Sequence, residues 1–178
     1  VLGTGGRLPP TEVIENDGLT SFDPTSDGID FYESLEGMRI EVHNGRVVMP
    51  TNRFQEFVVV ADDAVNATSL TVRGGTRLSA SDFNPERILV DDAIVTGAPQ
   101  VDVSDAFAGS IIGVLHYDFD NFRLLNTEAL PEVKRRELKR ERTGLYGSGW
   151  FLTVASMNVE NLDPSDTSFP AQAANIVH

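Results

Sequence analysis

The chain of 178 residues has no cysteine. That excludes a disulfide scaffold and a thiolate metal site, while leaving the compartment open, since secreted domains can do without disulfides. Lysine is nearly absent, occurring only at Lys134 and Lys139, and Trp150 is the single tryptophan. Positive charge is scarce, with 14 Lys and Arg against 27 Asp and Glu and a net charge of −13. The pI is about 4.5. A surface of that sign repels nucleic-acid phosphates, which are bound through Lys and Arg, and it favours solubility. No apolar run approaches the roughly 20 residues of a membrane span, and no secretory leader is visible. Internal repeats and low-complexity tracts are missing as well. What is present is 40% hydrophobic residues, enough for one good core in a domain of roughly 100 to 150 residues with tails.

Residues 1–34 are punctuated by Gly, Pro, Asn16-Asp17-Gly18 and Asp23-Pro24, which predicts an extended or looped N-terminal segment. A short helical turn is expected over Phe31–Met38, ending at Gly37. The periodicity then becomes two. Met38, Ile40 and Val42 alternate with Arg39, Glu41 and His43, the pattern of a half-buried strand. Asn44-Gly45 interrupts it before Val47–Met49 resumes, marking either a hairpin or a bulge that bends one long strand. Phe57–Ala61, Leu70–Val72 and Arg87–Val90 read as further strands, and Ser110–Tyr117 with Phe122–Leu125 as a hairpin turning at Asp118–Asn121. Met38, Ile40, Val42, Val58, Ile88, Val90, Ile112, Val114 and Leu124 are the expected inward set. Short strands without long helices favour closure, because closure removes exposed edges. The order of long bent strand, strand, strand and hairpin resembles the oligonucleotide/oligosaccharide-binding (OB) barrel, here spanning residues 35–127.

Residues 128–150 read as a charged, glycine-rich linker. Lys134, Arg135, Arg136, Lys139, Arg140 and Arg142 cluster there, interleaved with Glu132, Glu137 and Glu141. Leu130, Val133 and Leu138 make only a thin apolar face, so a solvated helix or a linker is expected. The same cluster is a candidate nucleic-acid patch, against the alternative of an ordinary charged linker, and no individual residue in it is assigned to nucleic-acid binding.

Leu152-Thr153-Val154-Ala155-Ser156-Met157 is an apolar run of strand length that stops at Asn158-Val159-Glu160-Asn161, a strand end presenting amides and a carboxylate. This stretch, continuing through Leu162-Asp163-Pro164, resembles the first core strand of the endonuclease/exonuclease/phosphatase family of deoxyribonuclease-I-like phosphodiesterases. Leu35-Glu36-Gly37-Met38 and Asn84–Asp92 are similar to stretches preceding the catalytic domain in large secreted bacterial nucleases of that family. The expected fold is therefore mainly β: a small antiparallel OB-like barrel, a linker, and the first strand and helix start of an α/β sandwich catalytic domain, truncated, over residues 151–178.

The resemblance implies that Asn158 orients the scissile phosphate or a metal-bound water, and that Glu160 lies near the metal. It implies Mg2+ or Ca2+ in the full-length parent only, with the catalytic domain and its nucleic-acid substrate as partners and an extracellular or cell-surface location. Without the resemblance, Asn158 and Glu160 would simply cap a turn. The parent's later catalytic residues have no match, so the chain alone is expected to be inactive. Asp118 and Asp120 with Asn121 are a second candidate cation site, oxygen-rich as Ca2+ requires, against the alternative of a plain polar turn. Tyr117, Phe119 and Phe122 are a candidate stacking platform. The alternative function is a non-enzymatic β-rich binding or structural module of a surface assembly.

Overall fold

The computed structural model describes residues 1–139 and, beyond them, Gly144, Gly149, Trp150, Leu152, Val154, Ser165, Thr167 and residues 169–171. Two compact units divide at Lys139. The first is mainly β. Its elements are α1 (Gly28–Glu33), β1 (Arg39–His43), β2 (Arg46–Met49), β3 (Phe57–Val60), β4 (Ile88–Asp91), β5 (Ala106–Phe107), β6 (Ser110–Asp118), β7 (Asn121–Asn126) and β8 (Val133–Lys134).

Asn44-Gly45 bends a strand and does not make a hairpin. β1 pairs with β6, whereas β2 pairs with β3. The sheet runs β1-β6-β7-β4-β3-β2, then β5 and β8, so β1 and β2, two residues apart in the chain, stand far apart in the strand order. Their covalent continuity curls the sheet into an OB-like half-barrel with β1 and β8 as its end strands. The pairs are antiparallel except β4 with β7, which is parallel. Gly45 suits the bend, since an added Cβ would stand a tight 3.1 Å from the Val59 side chain. Asn44 takes a φ of 40°, a left-handed conformation that asparagine tolerates better than most residues.

Ile40, Val42, Val47, Phe57, Val59, Ile88, Val90, Ile111, Leu115 and Leu124 fill the interior, with Phe31, Tyr32 and Leu35 from the α1 region. Part of the expected inward set is corrected. Met38 is exposed, and Ile112 and Val114 are only half-buried, because β6 buries the opposite phase: Ile111, Gly113 and Leu115. The run Ser110–Leu115 is apolar on both faces, so its pattern could not choose between them. Gly113 settles the phase, since a Cβ there would strike the Leu125 carbonyl of β7. Val58 is buried on the outer side of the sheet, with Val48, Val60 and Ala64, against Ala67, Leu70 and Leu89. The long connection between β3 and β4 therefore covers that face, and Leu70 makes only an isolated bridge to Thr76.

The helix lies earlier than expected. Asp27 caps it by accepting from the Ile29 amide at 3.1 Å, and Gly37 follows as a positive-φ turn residue. The N-terminal segment is fastened to the barrel: the Leu2 amide donates to the Glu41 carbonyl at 2.7 Å, and the His43 amide donates to the Leu2 carbonyl at 3.2 Å. This shields the free edge of β1. After β3, Asp62, Asp63 and Ala64 all have φ between 55° and 58°, a left-handed turn costing roughly 1 to 2 kcal/mol per residue. Side chains hold it in place. Asp62 accepts from the Thr4 hydroxyl at 2.9 Å, and Asp63 accepts from Arg46 at 3.0 Å and Arg136 at 2.6 Å.

The start of the expected linker belongs to the barrel unit. β8 pairs with β5, and beyond it Asp105, 2% exposed, accepts from the Arg136 amide and the Arg135 guanidinium, each at 2.8 Å. Two arginines of the basic cluster are thus neutralised by aspartates, and Arg140 and Arg142 lie outside the described residues. In the second unit, residues 169–171 are helical, at the expected helix start. Leu152 and Val154, expected inside a core strand, are 89% and 80% exposed. The rest of that stretch lies outside the described residues. No helix among the described residues is long and apolar enough to cross a membrane.

Two outcomes follow. Gly113→Ala is expected to destabilise the barrel by roughly 1 to 3 kcal/mol, as overpacking does, and urea unfolding measures it. Burial pushes the Asp105 carboxyl up, but the Arg136 and Asp102 amides and the Arg135 guanidinium outweigh it and leave it below the usual value. A depressed acid stabilises above its unfolded pKa and loses that contribution as pH falls through the folded one. Amide exchange in residues 133–139 is therefore expected to be slow at pH 7 and fast in Asp105→Asn, and the fall in stability in acid below about pH 4 is expected to be smaller in the variant than in wild type, where Asp105 adds to the other depressed carboxylates.

Candidate binding site

The β6–β7 turn is built from unfavourable residues. Phe119 and Asp120 adopt φ of 47° and 59°, the two positive values of a type I′ hairpin turn, where Asn-Gly would be unstrained. Asp118 accepts from the Phe119 amide at 2.9 Å, and Asn121 donates to the Phe119 carbonyl at 3.1 Å. Phe119 is 77% exposed. The Arg123 guanidinium lies 5.2 Å from its ring centroid, and that guanidinium is itself held by Glu56 at 2.5 Å and Asp91 at 2.9 Å. A bulky apolar side chain is thereby presented to solvent on a strained but braced tip.

Beside the tip opens a cleft of about 400 Å³. Tyr32 of α1 stacks on Phe122 of β7 with centroids 5.5 Å apart and planes at 29°, and Tyr117 of β6 meets Phe122 at 4.9 Å. Ile14 and Leu19 of the N-terminal segment and Pro85 and Leu89 complete the apolar wall, with Glu33, Arg87 and Asp120 also on the lining. Tyr32 reaches the Arg87 carbonyl at 3.4 Å. Burial, then the charge of Glu86, pushes its hydroxyl far above the ordinary tyrosine value, so it stays protonated. The lining includes no histidine, cysteine, serine or lysine. Such walls suit holding a flat, largely apolar group, with hydrogen bonding at the rim.

A family model described as a domain of unknown function, DUF8508, matches residues 1–135. The chain belongs to the DUF8508 family. No curated protein and no solved structure matches the chain. The DUF8508 match ends just past β8, so it takes in the N-terminal segment, α1 and the whole barrel, and every wall of the cleft lies within it.

Of the residues singled out from sequence, the DUF8508 fold brings Tyr117, Asp120, Asn121 and Phe122 into one cleft and leaves Phe119 at its exposed tip. Asp118 and Asn121 are spent in closing the turn. No group of three His, Cys, Asp or Glu suited to a metal ion is gathered among the described residues, so Asp118 and Asp120 have no third such ligand. Asn158 and Glu160 lie outside the described residues. His43 pairs with Glu41 at 3.2 Å, and Glu41 also accepts from Ser110, a surface contact across β1 and β6. Tyr32, Ile14, Leu19 and Pro85 escaped the sequence reading. Asp27 before Phe31-Tyr32 is an N-cap residue type that could have marked the turn, but nothing local tied that turn to the β6–β7 hairpin far along the chain. Replacing Phe119 by Asn, which tolerates positive φ, is expected to raise thermal stability by about 0.5 to 1 kcal/mol, measurable by calorimetry.

Proposed function

We propose that this domain is the non-catalytic accessory barrel of an extracellular, metal-dependent phosphodiesterase that cleaves nucleic acid. The observation that carries the reading is the aromatic cleft at the hairpin end of an OB-like barrel, followed in the chain by the Leu152–Pro164 stretch that resembles the first core strand of deoxyribonuclease-I-like enzymes. Phosphodiester cleavage belongs to the catalytic domain and its Mg2+ or Ca2+, with Asn158 and Glu160 as this chain's contributions to that site. The barrel's part is to hold substrate near it. Its cleft accepts one unstacked base against Tyr117 and Phe122, with Phe119 at the entrance, a contact that tolerates any base because each has a π-face. Duplex DNA is a poor ligand, since the surface is acidic and Asp63 and Asp105 neutralise Arg136 and Arg135.

Three measurements test this together. The chain alone is expected to show no phosphodiesterase activity with either ion. Fluorescence anisotropy is expected to detect weak binding of single-stranded oligonucleotide, reduced about tenfold in Tyr117→Ala, consistent with roughly 1 to 3 kcal/mol per stacked base. Duplex DNA should bind more weakly still at physiological salt. Tight duplex binding that weakens steeply with salt would instead make the basic segment the contact site, and absence of any oligonucleotide binding would favour the structural-module alternative.

A further inference from the structure

The long connection between β3 and β4 buries more acid than it neutralises. Asp82, Asn84 and Glu86 alternate along it, and they are 6%, 3% and 4% exposed. A buried carboxylate normally has a cation or several hydrogen-bond donors. Asp82 has donors: the Asn84 amide at 3.1 Å and the Thr68 hydroxyl at 2.9 Å. Glu86 does not, since both of its carboxylate oxygens are buried without a hydrogen-bond partner, and so is Oδ1 of Asn84. The Asn84 side-chain nitrogen is occupied by the Arg77 carbonyl at 3.1 Å, which fixes which end of the amide is left over. Burial, reinforced by the charge of Asp82, raises the Glu86 carboxyl to about 7. The nearby amides of Glu86 itself and Thr68, and the charge of Arg87, offset this only in part.

Thr68 ties the two acids together. Its hydroxyl donates to Asp82, its amide lies beside the Glu86 carboxyl, and Thr68 itself is exposed. Two carboxylates and a hydroxyl, with the unpartnered Asn84 amide oxygen between the acids in the chain, supply only oxygen donors.

We propose that Asp82, Asn84 and Glu86, with Thr68, bind a calcium ion on the loop that covers the outer face of the barrel. Calcium accepts six to eight oxygen ligands in flexible geometry, including a bidentate Glu, whereas magnesium demands a near-ideal octahedron and retains several waters. The unpartnered oxygens of Glu86 and Asn84 are the donors that the ion satisfies, and water on the Thr68 side completes the shell. The site is separate from the ion of the proposed catalytic domain and does not depend on that assignment. Its consequence is local. Pro85 and Arg87 line the aromatic cleft, and the Phe83 amide donates to the Glu12 carbonyl at 3.0 Å, so the ion braces one cleft wall and the N-terminal segment together.

The test is thermal unfolding of the full chain at pH 8 in EDTA, in millimolar CaCl2 and in millimolar MgCl2, with calorimetric titration for stoichiometry. One calcium per chain and a rise in Tm of about 5 °C are expected, with a smaller rise in magnesium. Glu86→Gln removes the buried charge while keeping the shape. It is expected to match or exceed wild-type Tm in EDTA and to lose the calcium response. A wild-type Tm indifferent to calcium, an equal response to magnesium, or a calcium response retained in Glu86→Gln would each overturn the site, the last by showing diffuse binding to the acidic surface. Terbium luminescence on wild-type protein gives a readout independent of the variant's folding: sensitised emission displaced by calcium supports the site, and its absence refutes it.

Discussion

The bend at Asn44-Gly45 is the constraint on which the barrel rests. It allows the backbone of one strand to turn sharply while staying close to the next, so that β1 can pair with β6 while β2 pairs with β3. The parallel pairing of β4 with β7, the enclosed core and the appended β5 and β8 all presuppose that bend. Gly113 does a related job on the other side, letting β7 approach β6 more closely than a side chain would permit. Two glycines thus set the geometry within which the apolar residues pack.

The surplus of acid, which in composition reads as a soluble, phosphate-repelling surface, turns out to be partly internal fastening. Asp27 starts α1, and Asp62 and Asp63 hold a left-handed turn together with the N-terminal segment and Arg46. Asp105 anchors the exit of the chain after β8. Carboxylates suit this work because each accepts several hydrogen bonds, and charge-assisted ones are stronger than neutral ones. The arginines spent on these contacts are unavailable to a polyanion, which shapes the proposed ligand preference as much as net charge does. Glu86 is the exception, an acid buried with neither carboxylate oxygen hydrogen-bonded.

The cleft shows a different balance. A hairpin tip made of Phe119-Asp120 costs backbone strain that Asn-Gly would avoid, and the Glu56–Arg123–Asp91 network braces it. Stability alone would not select a solvent-exposed phenylalanine there. Strain retained next to an aromatic-walled cleft is what a binding edge requires, and it links the local conformation to the proposed function.

Much of the barrel was legible in the chain before folding. The alternation through Arg39–His43 identifies a strand because a pleated half-buried segment imposes a period of two, while the apolar runs at Phe57–Val60 and Ile88–Asp91 and those flanking the turn at Asp118–Asn121 read as strands by their length between polar stops. Where both faces of a strand are covered the period vanishes, so the phase of β6 and the outward burial of Val58 were invisible. β5 and β8 were missed because two residues carry no period at all. The aromatic residues of the hairpin were visible as candidates, but their partners Tyr32, Ile14 and Pro85 were not, since chain-distant contacts leave no local pattern. The sequence by itself determined the strands, the turns and the acidic character, all of which follow from side-chain chemistry and near-neighbour spacing. Only the tertiary structure decided that Asn44-Gly45 bends one strand, that Asp27 and Asp105 are buried as fasteners, and that Tyr32 meets Phe122, because each depends on which distant backbone lies alongside.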